Sequence, residues 1–195
     1  MNRLNERISK AEVLFFVKEL HHNEEGIAQF CNVLLNSEQE RGAYNAAWIL
    51  SHLSKEDKEI YLMPFYDKIV DMVISPNLKI RRGLILSILA DLPINTNFRT
   101  DLLDFCLSNM SNSKESDSSR SVMIKLAAKM CKPFPELKNE LTACLEYLSE
   151  EVKPSISAAS KNALKDLTCT PKVRQKTFGV LLCLKSTGNM AMQND

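Results

Sequence analysis

An apolar helical stripe recurs along the chain at a nearly fixed interval, and this recurrence limits the possible folds more than any other feature. The stripes end at Leu53, Leu92, about Cys131 and Leu167. That interval, about 36 to 39 residues, suits one pair of helices per copy. Equivalent places inside the copies carry equivalent residues. Ile80-Arg81 is followed by Leu84, Ile88-Leu89 and Leu92, and Ile156-Ser157 by Ser160, Ala163-Leu164 and Leu167. Ala46, Ile49-Leu50 and Leu53 fill the earlier copy. A single helix pair cannot bury both of its apolar faces, so the copies must stack. An ordinary helical bundle, the other all-helical solution, needs no fixed interval.

The elements follow from periodicity and punctuation. The first helix is expected over Glu6 to His21, with Ile8, Ala11, Leu14, Phe15, Val17 and Leu20 as its apolar stripe. Asn23 caps the next helix, and Glu24 and Glu25 sit in its first turn, where the dipole favours anions. Ser37 with Glu40 fits a capping box for a third helix, from about Glu38 to Leu53. A fourth helix spans about Asp57 to Ile74, with Pro64 marking a kink or a late start. After the turn at Ser75-Pro76-Asn77 comes a helix from Leu78 to Leu92. Two more pairs follow: Asn97 to Asn109 with Ser119 to Cys131, and Glu136 to Leu148 with Pro154 to Leu167. The polar stretch Ser111 to Ser119 reads as a mobile loop. Only five glycines occur, which disfavours turn-rich β architectures.

This pattern resembles the HEAT repeat family, best over Tyr61 to Pro93. There the first helix carries a proline and Asp67, the turn is Ser-Pro-Asn, and Ile80-Arg81 takes the hydrophobic-arginine position that opens the second helix. The resemblance implies an all-α, right-handed α-solenoid of about four helix pairs, with Glu6 to His21 as an N-terminal cap helix. It departs from the family pattern at Ser157, which stands where an arginine is expected, and around Arg120 to Cys131. The expected domain is residues 1–167. Residues 168–195 form a C-terminal extension, whose apolar run Phe178 to Leu184 reads as a capping helix or a strand-like segment ahead of a frayed tail.

In HEAT-like arrays the second helices line the inner, concave surface. On the helix from Glu38 to Leu53, the residues opposite the alanine-rich side are Arg41, Tyr44, Asn45, Trp48 and His52. They are candidate binding residues, because aromatic side chains supply contact area at low entropic cost. Packing of Tyr44 and Trp48 against the cap helix is the competing reading. Ser87 and Asn162, the corresponding positions further along, are small and polar and do not extend an aromatic strip. Arg82 is a further candidate, for an anion; Arg81 and Arg82 could equally pair with Asp67, Asp71 or Asp91. His21 and His22 suit a helix C-terminus, and adjacent residues point apart, so no metal clamp is expected there.

Composition narrows the function classes. Lys and Arg number 25 against 24 for Asp and Glu, and the net charge is +1, so nothing global recruits nucleic acid. The six cysteines lack a C-x-x-C spacing and read as reduced thiols in apolar patterns. The N-terminus lacks a secretory core and no stretch is long enough to span a membrane, so a cytoplasmic location is expected. No H-E-x-x-H, P-loop, G-x-G-x-x-G or G-x-S-x-G is present. No metal, cofactor or catalytic residue is therefore expected. Two enzyme classes are alternatives: a HEAT-like alkylpurine DNA glycosylase, for which Trp48, Tyr44 and Asp91 supply the residue types, and an all-helical lyase of the adenylosuccinate lyase type, whose signature residues are absent. The resemblance favours a non-catalytic scaffold that binds a protein partner.

Overall fold

The computed structural model describes residues 2–78, 80–94, 98–150 and 153–168. These form ten α-helices with no strand among the described residues. A 3-10 turn over Asn2–Asn5 leads into α1 (Lys10–Glu19), α2 (Glu24–Asn36) and α3 (Glu40–Ser51). Next come α4 (Lys55–Tyr61), α5 (Tyr66–Ile74) and α6 (Arg82–Asp91). The last four are α7 (Thr100–Asn109), α8 (Asp117–Cys131), α9 (Pro135–Ser149) and α10 (Pro154–Thr168). The expected capping segment and tail beyond residue 168 lie outside the described residues.

Local chemistry sets the helix ends. Asn23 accepts a hydrogen bond from the Gly26 amide and caps α2, as its sequence position implied. Ser54 and Ser116 cap α4 and α8 in the same way. The capping box belongs to α1, where Ser9 and Glu12 satisfy each other's backbone amides. The box expected at Ser37 and Glu40 does not form. There α3 starts after Gln39, and the Ser37 hydroxyl folds onto the Gln39 backbone. Pro64 breaks the expected fourth helix, because a 3-10 turn over Met63–Phe65 separates α4 from α5. The buried face of α1 also differs from the expected stripe. Val13 and Leu20 are buried and Phe16 and Val17 pack on the core, while Leu14 and Phe15 are exposed.

The helices pair and stack. α2 lies on α3, α5 on α6, α7 on α8 and α9 on α10. The second helices form a continuous row, α3 against α6, α6 against α8 and α8 against α10. On the other side α2 meets α5 and α5 meets α7. One apolar core runs from Leu4 to Leu167 through every pair. The cap helix α1 and the first 3-10 turn close the row on α3. This is an all-α solenoid.

Burial sharpens the register. Leu53, Leu92, Met130 and Leu167 are equivalent, and ten residues before each stand Ala43, Arg82, Arg120 and Ser157, all but Ser157 buried. The third stripe therefore ends on Met130, one residue before the expected Cys131. The repeated arginine is Arg82, not Arg81. Its guanidinium donates to the carbonyls of Val73 (3.3 Å) and Ser75 (3.0 Å) at the end of α5. It also pairs with Glu115 at 2.5 Å and sits 5.4 Å from the Phe105 ring centre. Arg120 donates to the Met110 carbonyl at 2.8 Å, after α7, and the Ser157 hydroxyl reaches the Ser149 carbonyl at 2.7 Å, at the end of α9. All three answer carbonyls that a helix C-terminus leaves unpaired. Arg81 instead pairs across the row with Glu40 of α3 at 2.6 Å. Asp67 and Asp71, considered above as its partners, bind Arg99. Asp91 binds the buried Lys58 at 2.6 Å. Glu115, within the stretch read as a mobile loop, is tied down by Arg82.

Cys31, Cys106 and Cys131 are free and buried, and burial pushes the Cys31 and Cys106 thiols up to about 12. Cys144 is free and exposed. Cys169 and Cys183 lie outside the described residues.

At the corner between α1, α2 and α4 the chain leaves the helical region. His22 has φ 55°, the one non-glycine residue with positive φ among those described. That turn places both His21 and His22 over Asp57 of α4, with ring centroids 3.8 Å apart. The expectation that adjacent residues point apart assumed helical backbone, which ends one residue too soon. Asp57 is buried at 1% exposure. Burial alone would raise its pKa, but hydrogen bonds from His21, Ser54 and the His22 amide hold the carboxyl below its usual range.

Two predictions follow from these ends and clamps. Glu12 is held down at about 2 by the Ser9 amide, Arg3 and the Ser9 hydroxyl. A depressed carboxyl stabilises the fold above its unfolded pKa and loses that effect as pH falls through the folded value. Glu12→Gln should therefore lower the melting temperature at pH 7, and the gap from wild type should shrink as pH falls from about 4.5 towards about 2. Arg82→Ala strips two carbonyls and a largely covered carboxylate of their donor, at a cost of about 2–4 kcal/mol in urea denaturation, whereas Arg81→Ala should cost at most about 1 kcal/mol.

Candidate functional site

The α3 face is built at helical spacing. Tyr44, Trp48 and His52 stand four residues apart, so their rings form a ladder along one side of the helix. Ring centroids are 6.5 Å apart for Tyr44 and Trp48 and 6.4 Å for Trp48 and His52. His52 is exposed, and its Nδ1 lies 3.0 Å from the Trp48 carbonyl. Tyr44 and Trp48 are half-buried, and Trp48 packs on the core.

Two open grooves flank the ladder. One, of about 460 Å³, is lined by Glu40, Arg41, Tyr44 and Ile80. Ile80 is 72% exposed, one of the few large apolar side chains left open to solvent. Arg41 is exposed and has no carboxylate partner among the described residues, while its neighbour Glu40 is taken by Arg81. In the other groove Trp48 faces Arg7, Ile8, Ser9, Lys10 and Glu12 at the start of α1. Trp48 thus lies across a groove from the cap segment, with its other side packed on the core.

Two of the candidate residues are turned inward. Asn45 is 2% exposed, and its Nδ2 donates to the Leu4 carbonyl (2.7 Å) and the Glu6 carbonyl (2.8 Å). It pins the N-terminal segment to α3. A Cβ on the neighbouring Gly42 would collide with Asn5 of the same segment. Arg82 is committed to the end of α5, as described above. Neither presents a free group to a ligand, and both leave the candidate surface for this reason. Arg41, Tyr44, Trp48 and His52 remain together on it.

Further along the row the structure shows a feature that sequence reasoning missed. Lys125 and Lys129 of α8 and Lys132 just past its end, at steps of four and three, meet Asp91 and Asp166 in a groove of about 360 Å³. The spacing could have revealed them. Lys129 spends its ammonium on the carbonyls of Ala90 (2.7 Å) and Leu92 (2.5 Å), and burial pushes its pKa down. Asn162 lines this groove, whereas the Ser87 hydroxyl is turned onto the Gly83 carbonyl of its own helix. Asp91 lies here, in a different groove from Tyr44 and Trp48, so the three residue types of a glycosylase-like site are not brought together. Met63-Pro64 lies in the 3-10 turn between α4 and α5. Among the described residues, three side chains that together could hold a metal meet at the His21–His22–Asp57 corner, away from the α3 face.

Stacked helix pairs, a capped row of second helices and buried residues at helix C-termini define a helical-repeat protein. The chain belongs to the HEAT repeat domain family, whose model matches residues 1–167. No curated protein and no solved structure matches the chain significantly. Among the described residues no helix is long and apolar enough to cross a membrane.

Asn45→Ala would leave the Leu4 and Glu6 carbonyls without their donor. It should cost about 1–3 kcal/mol, and hydrogen exchange should show the amides of residues 2–9 losing protection first.

Proposed function

We propose that the protein is a non-catalytic protein-interaction module that binds a partner segment on the α3 face. The partner seats an apolar side chain between Tyr44 and Ile80 and sets an acidic group on Arg41. The observation that carries this reading is an exposed arginine, with no carboxylate partner among the described residues, beside an exposed isoleucine and a half-buried tyrosine at one groove. A large apolar side chain left in water gains free energy by being covered, and an arginine with no carboxylate partner among the described residues is available for a charge-assisted pair. Membership of a helical-repeat family supports a scaffold role, since such arrays present extended surfaces to partners. In the α8 groove three ammonium groups face two carboxylates, and one of the three is already occupied, which gives a polyanion little to hold.

A photo-crosslinking residue, p-benzoylphenylalanine, placed at Ile80 in the full chain tests this in native extract. The same label at Tyr147, 78% exposed on α9, is the control. The Ile80 label should give a discrete protein adduct that the Tyr147 label does not, and Arg41→Glu should reduce it at least about tenfold, as expected for loss of a desolvated charge pair worth more than 1.4 kcal/mol. An adduct that persists in Arg41→Glu sinks the reading. An adduct with a second copy of the chain replaces a foreign partner with self-association.

A further inference from the structure

We propose that His21, His22 and Asp57 form a binding site for a divalent ion of the zinc class. The cluster joins the end of α1 to α4, across the turn that leads into α2. Two imidazoles and one carboxylate are the donor set that suits zinc and its neighbours rather than magnesium or calcium. The donor atoms of all three side chains lie within 4.8 Å of one another.

The donors lie close to what an ion requires. His21 Nδ1 is 3.0 Å from Asp57 Oδ2, and His22 Nδ1 is 3.1 Å from Asp57 Oδ1. Donors bound to one tetrahedral zinc at about 2.0–2.1 Å are about 3.3–3.4 Å apart. The imidazoles grip opposite oxygens of one carboxylate, so for the ion to sit on a single oxygen the three donors, now within 4.8 Å of one another, must draw together by up to about 1.4 Å, a movement open to two half-exposed rings. To ligate through Nδ1, each neutral ring takes the tautomer that carries its one hydrogen on Nε2.

The supporting shell is already built. The Ser54 hydroxyl donates to Asp57 Oδ2 at 2.7 Å, and the His22 backbone amide donates to Asp57 Oδ1 at 3.2 Å. Neither bond depends on the imidazole protons, so both persist when an ion takes their place and keep the carboxylate aimed. The left-handed backbone at His22 points the same way. A non-glycine residue held there costs on the order of 1 kcal/mol or more, and such strain collects at ligand clamps. Here it is what brings a second imidazole onto a carboxylate that His21 and Ser54 already satisfy. Three protein ligands leave a fourth position for water, as the half-exposed rings allow.

Titration of chelator-treated full-length protein with zinc chloride, followed by calorimetry and by melting temperature, tests the site. One ion per chain should bind with a dissociation constant of about 1–100 µM, weaker than four-ligand structural sites, and raise the melting temperature. His22→Gly removes a ligand while keeping the backbone conformation that glycine adopts freely. His21→Ala removes the other imidazole from an exposed position. Each should weaken zinc at least about tenfold while circular dichroism of the metal-free variant stays that of wild type. Cobalt(II) should give the weak spectrum of nitrogen and oxygen ligands. No binding at about 1 mM zinc, binding unchanged in both variants, or an intense thiolate band with cobalt would each overturn the assignment.

Discussion

A helix that ends between neighbouring helices leaves carbonyl oxygens with no amide to meet them, and in this protein cations answer them. Lys58 of α4 donates to the Ser51 carbonyl at the end of α3 while holding Asp91 of α6. Arg82 and Arg120, which open the second helices, close the ends of α5 and α7 within their own pairs. Lys129 of α8 closes the end of α6 in the preceding pair. Each cation loses much of its hydration, a cost that carbonyls, helix dipole and carboxylates must offset. The carbonyls accept from these groups at few positions, so the clamps fix how far each helix can slide along the next.

The class of fold was plain from the spacing of Leu53, Leu92 and Leu167, because a helical period repeated at a fixed interval has few other solutions. Finer assignments failed where two residues were equally good on paper. Arg81 and Arg82 are adjacent, and a helix turns about 100° per residue, so one faces the end of α5 and the other faces Glu40. Only the position of the α5 carbonyls distinguishes them. On α1 the apolar residues nearly encircle the helix, and a stripe drawn through Leu14 and Phe15 was as regular as the one through Val13 and Leu20. The αL turn at His22 has no sequence signal, since glycine or asparagine usually marks such a residue.

The candidate surface shows the same division. Its rings were legible as residues four apart on one helix. The role of Asn45 was not, because its partners are carbonyls of Leu4 and Glu6, about forty positions earlier in an unpatterned segment. One helix face thus does two jobs. Its N-terminal end, with Arg41 and Tyr44, opens towards solvent beside Ile80. Its middle holds the N-terminal turn in place through Asn45 and Trp48. The cap segment is consequently part of the wall of the neighbouring groove, and the shape of one depends on the docking of the other.

The block from Ala43 to Leu53 has the same length as those from Arg82 to Leu92, Arg120 to Met130 and Ser157 to Leu167, while the chain between successive blocks shortens by one residue at each step. Length variation is confined to first helices and turns. Under tension applied at its two ends, such an array behaves as springs in series. The load passes through every interface between adjacent pairs, and its extension is the sum of small slips between neighbours. The interdigitated core resists that slip, and clamps that cross between pairs, such as Lys58 and Lys129, add to the stiffness of each interface.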